Sequence, residues 1–302
     1  MKSQLFIHTL TWSLIAVPLS AQTDVHIDVN YERDTGGGYT FTASSNSYAP
    51  YTVTLKFTEL KGASSPGTII RTVHYGNNRL TALRPTRSGS DIEFRYSYSW
   101  RKGDIHKKGD RSYVYLLPLA PGKQTRIRQN ISLDDFLSND PVKKEQARAI
   151  GISFTTTSGD TIYAARGGLV TDTRDGGAST TAGKQYDANE NYIEVFHKDG
   201  TFGRYRLFQN NGIFVDPGDN VVAGQPIGIA GAENYENGSF FQFMVLCYEW
   251  EDDHTYIPLF YLGAGNEAVP ETGRTYMVEP RPTDLVTKEM SRREKKKYAE
   301  KQ

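Results

Sequence analysis

The sequence predicts an all-β protein, and three observations support this class. Between about Asp24 and Ile131, short runs alternate apolar and polar side chains and are rich in Tyr, Thr and Val. A period of two is typical of half-buried strands. Turn-forming residues separate the runs, as in the three glycines at 36–38. The alternation returns beyond residue 148, for example in AIGISF and FFQFMV, so strands are expected in both halves of the chain.

The runs before residue 132 predict a domain of their own. In chain order they are VHIDVNY, YTFTAS, YTVTLKF, IEFRYSYSW, SYVYLLPL and QTRIRQNIS. Several short strands at this spacing are typical of an antiparallel sandwich. We therefore interpret residues 24–131 as an immunoglobulin-like accessory domain. A chain of 302 residues usually forms two domains, so a second one is expected after it.

The N-terminus has the pattern of a secretory signal peptide. Lys2 precedes a moderately apolar run that closes with PLSA at Ala21, which predicts that residues 1–21 are cleaved off. The run is too short to span a bilayer, and polar residues interrupt it. We predict a periplasmic or secreted protein with no stable membrane anchor after cleavage. A membrane-anchored N-terminus is the alternative.

Charge and cysteine content exclude several classes of function. Lys and Arg together number 35, and so do Asp and Glu, so no global field attracts nucleic acid. Cys247 is the single cysteine, which rules out an internal disulfide in an exported chain. Its context, MVLCYEW, predicts a buried inert thiol. No His stands in a recognisable pairing with it for cysteine hydrolysis.

Three segments lack strand alternation. Residues 132–147 contain Asp, Pro and Lys and are interpreted as a linker with one short helix. A Gly/Ser/Thr-rich insertion between Val170 and Tyr192 either walls a binding cleft or is a plain excursion. Residues 271–302 are highly charged without a convincing apolar stripe, which predicts a frayed tail. A role of this tail in docking a partner is the alternative.

The remaining segment, residues 148–270, contains two similar sequence units. Two units in which Gly-Asp leads into an apolar strand, SGDTIYAARGGLV and VDPGDNVVAGQPIG, flank NYIEVFHKDGTFGRYRLF. In this order and spacing they resemble the duplicated β-hairpin motif of the lysostaphin/LytM-type zinc endopeptidases, which cut bacterial cell-wall peptides. The resemblance covers about a third of the chain. It implies a LytM-like β-hairpin domain at 148–270.

The resemblance also implies positions at which this chain lacks the chemistry of the family. Where the family has the His and Asp of His-x-Gly-Ile-Asp, this chain has Ala149 and Ser153. The two His of His-Leu-His-Phe correspond to Phe240 and Gln242, and the His of Tyr-x-His-Leu corresponds to Leu207. Three of the five have apolar side chains without a ligand atom, and a neutral Ser is a poor substitute for a carboxylate. We predict no zinc cofactor and no catalytic residue.

Other residues offer little to replace the lost ligands. His197, in IEVFHKDG, matches a structural turn of the family rather than a ligand. His254 follows acidic residues at 251–253, an oxygen-rich set better suited to a weak cation than to catalytic zinc.

A peptide-binding groove is predicted even though the metal ligands and catalytic residues of the family are replaced. We expect Tyr205, Phe240 and Gln242 to line it, whereas strand alternation turns Arg206 to the other face. Aromatic and amide groups stack on and hydrogen-bond peptides. A groove filled by its own side chains is equally compatible with this sequence.

Three functional hypotheses follow from the resemblance. The first is an exported, catalytically inactive LytM-like protein that binds an envelope partner, either a cell-wall peptide or a cell-wall hydrolase. The second is a structural component of an envelope or secretion assembly. The third is an active zinc metalloendopeptidase with unrecognised ligands.

Overall fold

A computed structural model describes residues 24–87, 89–131, 149–157, 159–176, 190–231, 239–250 and 253–300. Strands dominate this part of the chain, and its helices form near the C-terminal end, so the all-β prediction is confirmed. The predicted signal peptide (1–21), the linker (132–147) and residues 177–189 of the insertion lie outside the described residues. Within them, no helix is long and apolar enough to cross a membrane.

The N-terminal unit consists of two small antiparallel sheets packed face to face. Its strands are β1 (Ile27–Arg33), β2 (Tyr39–Ser45), β3 (Tyr51–Lys61), β4 (Thr68–Val73), β5 (Gly76–Leu83) and β6 (Glu93–Lys102). They form one sheet in the order β1-β2-β5 and another in the order β4-β3-β6. Alternate residues of both sheets, such as Phe41 and Val53, are fully buried between them. The immunoglobulin-like topology stays a prediction.

A nine-stranded sheet organises the rest of the chain. The remaining strands are β7 (Val114–Tyr115), β8 (Gln124–Ile131), β9 (Ala149–Thr156), β10 (Thr161–Tyr163), β11 (Gly168–Arg174), β12 (Tyr192–Phe196), β13 (Phe202–Arg206), β14 (Phe208–Ile213), β15 (Asn220–Val221), β16 (Pro226–Ala230), β17 (Ser239–Tyr248), β18 (Asp253–Tyr256), β19 (Leu259–Tyr261), β20 (Glu267–Ala268) and β21 (Thr275–Met277). The large sheet has the order β15-β11-β12-β13-β17-β9-β8-β21, and β18 pairs with β17. Two three-stranded sheets, β10-β16-β14 and β20-β19-β7, accompany it.

The boundaries between the units differ from those expected. Strand β8, expected within the accessory domain at 24–131, pairs with β9 of the large sheet. Tyr115 and Ile127 also belong to the core of this second unit. On the other side, β21 falls in the expected tail yet pairs with β8. Alternation identifies a strand but not its partner, because pairing depends on residues that are distant in sequence.

The tail is also more ordered than expected. It forms helices α1 (Thr283–Thr287) and α2 (Arg292–Ala299). Leu285 and Val286 of α1 are buried in an apolar cluster with Val114 of β7. A capping box of Ser291 and Glu294 begins α2. Two adjacent apolar residues are too few to give a periodic stripe, but the Ser-x-x-Glu pattern was a readable helix signal.

Candidate functional site

Two of the predicted site positions are direct neighbours in the large sheet. Gln242 of β17 lies opposite Ser153 of β9 on one side and opposite Arg206 of β13 on the other. Arg128 of β8 lies opposite Ser153 on its other side. One row across four strands therefore contains Arg206, Gln242, Ser153 and Arg128. Directly opposed residues of antiparallel strands place their Cβ atoms about 4.5–5.5 Å apart on the same face. The row therefore crosses the face that lies opposite the apolar core.

Ser153 is occupied by a protein contact. Its side chain is 3% exposed, and its Oγ donates a hydrogen bond of 3.0 Å to Oδ1 of Asn130. The hydroxyl is thus buried and partnered within the sheet. This end of the face is filled, which favours the packed groove over an open one at Ser153.

The other three substituted positions surround this row. Phe240 lies opposite Thr155 and is half-buried. The backbone of Ala149 pairs with that of Ile131. Leu207 directly follows β13, is 5% exposed and has a φ of 74°. A leucine in this left-handed region costs roughly 1–2 kcal/mol, so the surrounding packing must hold the backbone there.

Two expectations for the groove are corrected. Tyr205 lies opposite Phe243 and is fully buried in the core, where its Oη accepts a hydrogen bond of 2.8 Å from the Ala165 amide. It does not line the groove. Arg206, expected on the other face, lies beside Gln242. The expected phase of β13 was wrong by one residue, because Tyr205 and Leu207 would share a face only if the strand continued through Leu207, whose backbone is left-handed.

Arg206 forms a buried ion pair that the sequence did not reveal. Its side chain is 10% exposed and that of Glu190 is 15% exposed. Nη2 of Arg206 donates to Oε2 of Glu190 at 2.6 Å, and Nε donates to Oε1 in a second short contact. A guanidinium held by two parallel bonds is rigidly placed.

These residues do not fit the zinc ion that the family resemblance implies. Zinc in proteins is bound by Cys, His, Asp or Glu, whereas this row offers the amide of Gln242 and the hydroxyl of Ser153, which already donates to Asn130. Arg206 in the next strand offers only N–H donors and no ligand atom. Without zinc, the row contains no group able to activate water.

The N-terminal unit covers one end of the same face. Apolar residues of this face, including Phe202 of β13, belong to the core cluster of the sandwich. Lys102 of β6 reaches in and pairs with Oε1 of Glu194, whose side chain is 0% exposed. Thr171 also donates to Oε1 at 3.1 Å, and Nε of Arg204 lies 3.9 Å from Oε2. The two units are therefore joined by a buried ionic contact.

A second buried network lies beneath His197. The histidine is fully buried, and its Nδ1 donates to the Gly167 carbonyl at 2.8 Å. Burial, helped by the charge of Arg166, lowers the pKa of His197 to about 3. Burial acts to raise the pKa of Asp199, but Arg166, 2.8 Å away, outweighs it and lowers that pKa to about 2. Arg166 also binds Glu289 at 2.7 Å, which ties the C-terminal segment to the core.

One further group of polar side chains lies at the β17–β18 hairpin. Ligand atoms of Cys247, Glu249 and His254 lie within 4.8 Å of one another. Cys247 is buried, as expected, and burial, with the negative charge of Glu249, raises its pKa to about 11. The acidic residues expected to act with His254 lie at 251–253, and 251 and 252 are outside the described residues. Sequence reasoning missed this cluster because cross-strand pairing brings its members together.

Comparisons with known proteins found a similarity to one protein family. Residues 148–254 match the family model "Peptidase family M23". No curated protein matches the chain. The chain is 24% identical to the catalytic domain of the antimicrobial peptidase lysostaphin from Staphylococcus simulans, with 32% of this chain and 65% of that chain covered and a TM-score of 0.25.

Two further solved structures are similar. One is a putative glycyl-glycine endopeptidase LytM from Ruminococcus gnavus, with 14% identity, 48% of this chain and 56% of that chain covered and a TM-score of 0.30. The other is Csd3 from Helicobacter pylori, with 14% identity, 92% and 78% covered and a TM-score of 0.31. The chain spans less than two thirds of the first two chains. The similarity to Peptidase family M23 therefore covers residues 148–254, about a third of the chain.

Proposed function

We propose that this protein is an exported, catalytically inactive member of the M23 type that binds a partner in the bacterial cell envelope. The partner is a peptidoglycan peptide or a cell-wall hydrolase. The observation that carries the proposal is the row of Arg206, Gln242 and Ser153, in which a partnered hydroxyl, an amide and a cation stand in register. Export is inferred from the signal-like segment at residues 1–21.

The argument for inactivity is quantitative. Zinc lowers the pKa of a bound water from about 15.7 to about 7, and this set of side chains supplies no zinc. General-base catalysis alone contributes roughly 10²–10⁴-fold. Where the family has His residues, this chain has Ala149, Leu207, Phe240 and Gln242, none of which can act as a general base. Neither the metal ligands nor the His base of the family is therefore present at these positions.

The argument for binding comes from the open part of the same face. Arg126 and Arg128 of β8 and Thr155 of β9 are exposed, while Phe240 and Gln242 beside them are half-buried. A guanidinium binds carboxylates, an amide binds peptide groups and an aromatic ring stacks on either. Such a patch suits an extended peptide that carries carboxylate groups.

The test measures cleavage and binding with the same preparation. The full-length mature protein is incubated with purified peptidoglycan and with its soluble peptides, with added zinc and with a chelator. We expect co-sedimentation with the polymer or binding of a peptide, and no released amines. Hydrolysis that the chelator abolishes would overturn the proposal.

Matched variants locate the binding surface. Arg128→Ala and Gln242→Ala remove groups of the open patch and should weaken binding at least about tenfold, since charge-assisted contacts contribute roughly 1.5–3 kcal/mol. Arg71→Ala is the control, because Arg71 is an exposed arginine on strand β4 of the sandwich. Equal loss in all three variants would point to nonspecific charge and contradict this surface. If neither wall material nor a peptide binds, the proposal requires that a purified cell-wall hydrolase bind to the same patch.

A further inference from the structure

Three metal-ligand side chains meet on one face of the β17–β18 hairpin. Cys247 and His254 are directly opposed cross-strand residues, and Glu249 follows Cys247 by two residues. This spacing directs Glu249 toward the side of Cys247. One ligand atom from each lies within 4.8 Å of the others. The hairpin thus assembles a thiol, an imidazole and a carboxylate.

This ligand set is chemically suited to zinc. Zn²⁺ binds Cys sulfur at about 2.3 Å and His nitrogen or carboxylate oxygen at about 2.0–2.2 Å. In a tetrahedral site such bonds place the ligand atoms roughly 3.5 Å apart. Closing the present separations requires a movement of the order of 1 Å, which side-chain rotation provides. Three ligands leave one position for a water molecule.

A buried oxygen without a partner points to the same space. Within the described part of the chain, Oη of Tyr256 is buried and has no hydrogen-bond partner, and Tyr256 is 8% exposed. A Cβ atom placed on Gly109 would lie 2.6 Å from Cγ2 of Thr201, 3.2 Å from Sγ of Cys247 and 4.0 Å from this Oη. Sγ and Oη therefore both lie close to Gly109, beside the methyl group of Thr201. A water molecule bound to a metal at Cys247 would give the phenol the partner that it lacks.

Arg111 identifies the nitrogen of His254 that accepts a hydrogen bond. Its Nη2 lies 2.9 Å from Nε2 of His254, and a guanidinium can only donate. Nε2 therefore carries the lone pair that a metal would use. Arg111 is exposed, so its side chain can swing into solvent when a cation takes its place.

We propose that Cys247, Glu249 and His254 form a zinc site, with Arg111 as the group that zinc displaces. The site is distinct from the substituted family positions. Cys247 lies five residues beyond Gln242 on β17, roughly 17 Å away at strand spacing. The odd separation puts the two side chains on opposite faces of the sheet.

Cobalt titration of the full-length protein tests this proposal. Co²⁺ substitutes for zinc, and its thiolate complexes absorb in the near ultraviolet. We expect an equimolar titration with this band and its displacement by Zn²⁺. His254→Ala and Glu249→Gln should weaken zinc binding by more than about 100-fold, since loss of groups that only hydrogen-bond a ligand costs 10–100-fold. Absence of the thiolate band would overturn the proposal.

Two controls make the result specific. His106→Ala removes an exposed histidine outside the cluster and should bind zinc like the wild type. Arg111→Ala removes the competing cation and should bind zinc more tightly. Because His254 and Glu249 are only half-buried, their variants should fold, which urea unfolding checks. Equal affinity of His254→Ala and wild type would refute the site.

The same variants separate this site from the question of catalysis. Zinc binding that His254→Ala abolishes, with no peptide cleavage, supports both proposals. Chelator-sensitive cleavage that His254→Ala abolishes would overturn the proposed inactivity and leave the metal site intact. Chelator-sensitive cleavage with no thiolate band would overturn both.

Discussion

Buried His197 should make this protein markedly less stable at mildly acidic pH. The side chain is fully buried, and burial lowers its pKa to about 3. Its Nδ1 is bonded to Gly167, while Nε2 has no partner in the described structure and faces Gly203, where a Cβ atom would lie only 2.7 Å away. Protonation would add a charge beside Arg166 and an N–H without an acceptor.

The sign and size of the effect follow from linkage. A histidine whose pKa is depressed in the folded state binds its proton in the unfolded state, at an ordinary pKa of about 6.5. Stability is therefore complete above that pH and falls as the pH drops toward the folded pKa. Between pH 7 and pH 5 the free energy of unfolding should fall by about 2 kcal/mol. This amount is insensitive to the folded pKa, because that pKa lies well below 5.

Urea unfolding followed by circular dichroism at pH 7, 6 and 5 measures the effect. The control is His197→Asn, whose side-chain amide can still donate to the Gly167 carbonyl but cannot titrate. The variant is expected to start less stable and to lose about 2 kcal/mol less than the wild type over this range. Parallel pH profiles for the two proteins would refute the reasoning.

Further predictions concern two of the buried ion pairs. Lys102→Met removes the closest cation of Glu194, which is 0% exposed, leaves only the more distant Arg204 and should cost about 3–5 kcal/mol. Lys107→Met, which removes a contact with a backbone carbonyl, should cost about 1 kcal/mol or less; equal losses in the two would contradict the pairing. Glu289→Gln should lower stability by about 1–3 kcal/mol by weakening the contact with Arg166 and should increase proteolysis of the C-terminal segment. An unchanged digestion pattern would argue against that docking.

Local patterns predicted the strands but not their assembly. The alternation in AIGISF and FFQFMV located β9 and β17, in which Ile152 and Phe243 are fully buried. The association of β8 and β21 with the same sheet depends on pairing across about 150 residues. No short window of sequence contains that information.

The candidate site was predictable to a similar extent. Ser153 and Gln242 lie directly opposite each other on two strands that the sequence pattern had already identified. Tyr205 and Leu207 would share a face in a continuous strand, but the left-handed backbone of Leu207 ends the alternation after Arg206, and leucine gives no local sign of this. The ion pair of Arg206 with Glu190 was hidden because neither residue differs in type from a solvated surface charge.

The pairing of β8 and β21 has a consequence for how this protein can be divided. A fragment cut at the family match, residues 148–254, would omit both strands and remove Ile127 and Tyr115 from the core. The amide and carbonyl groups of β9 would then form an open edge, which invites association with other chains. The smallest autonomous folding unit should begin before Tyr113 and extend past Met277, so the sequence-defined family module and the cooperative unit of folding are different objects in this protein.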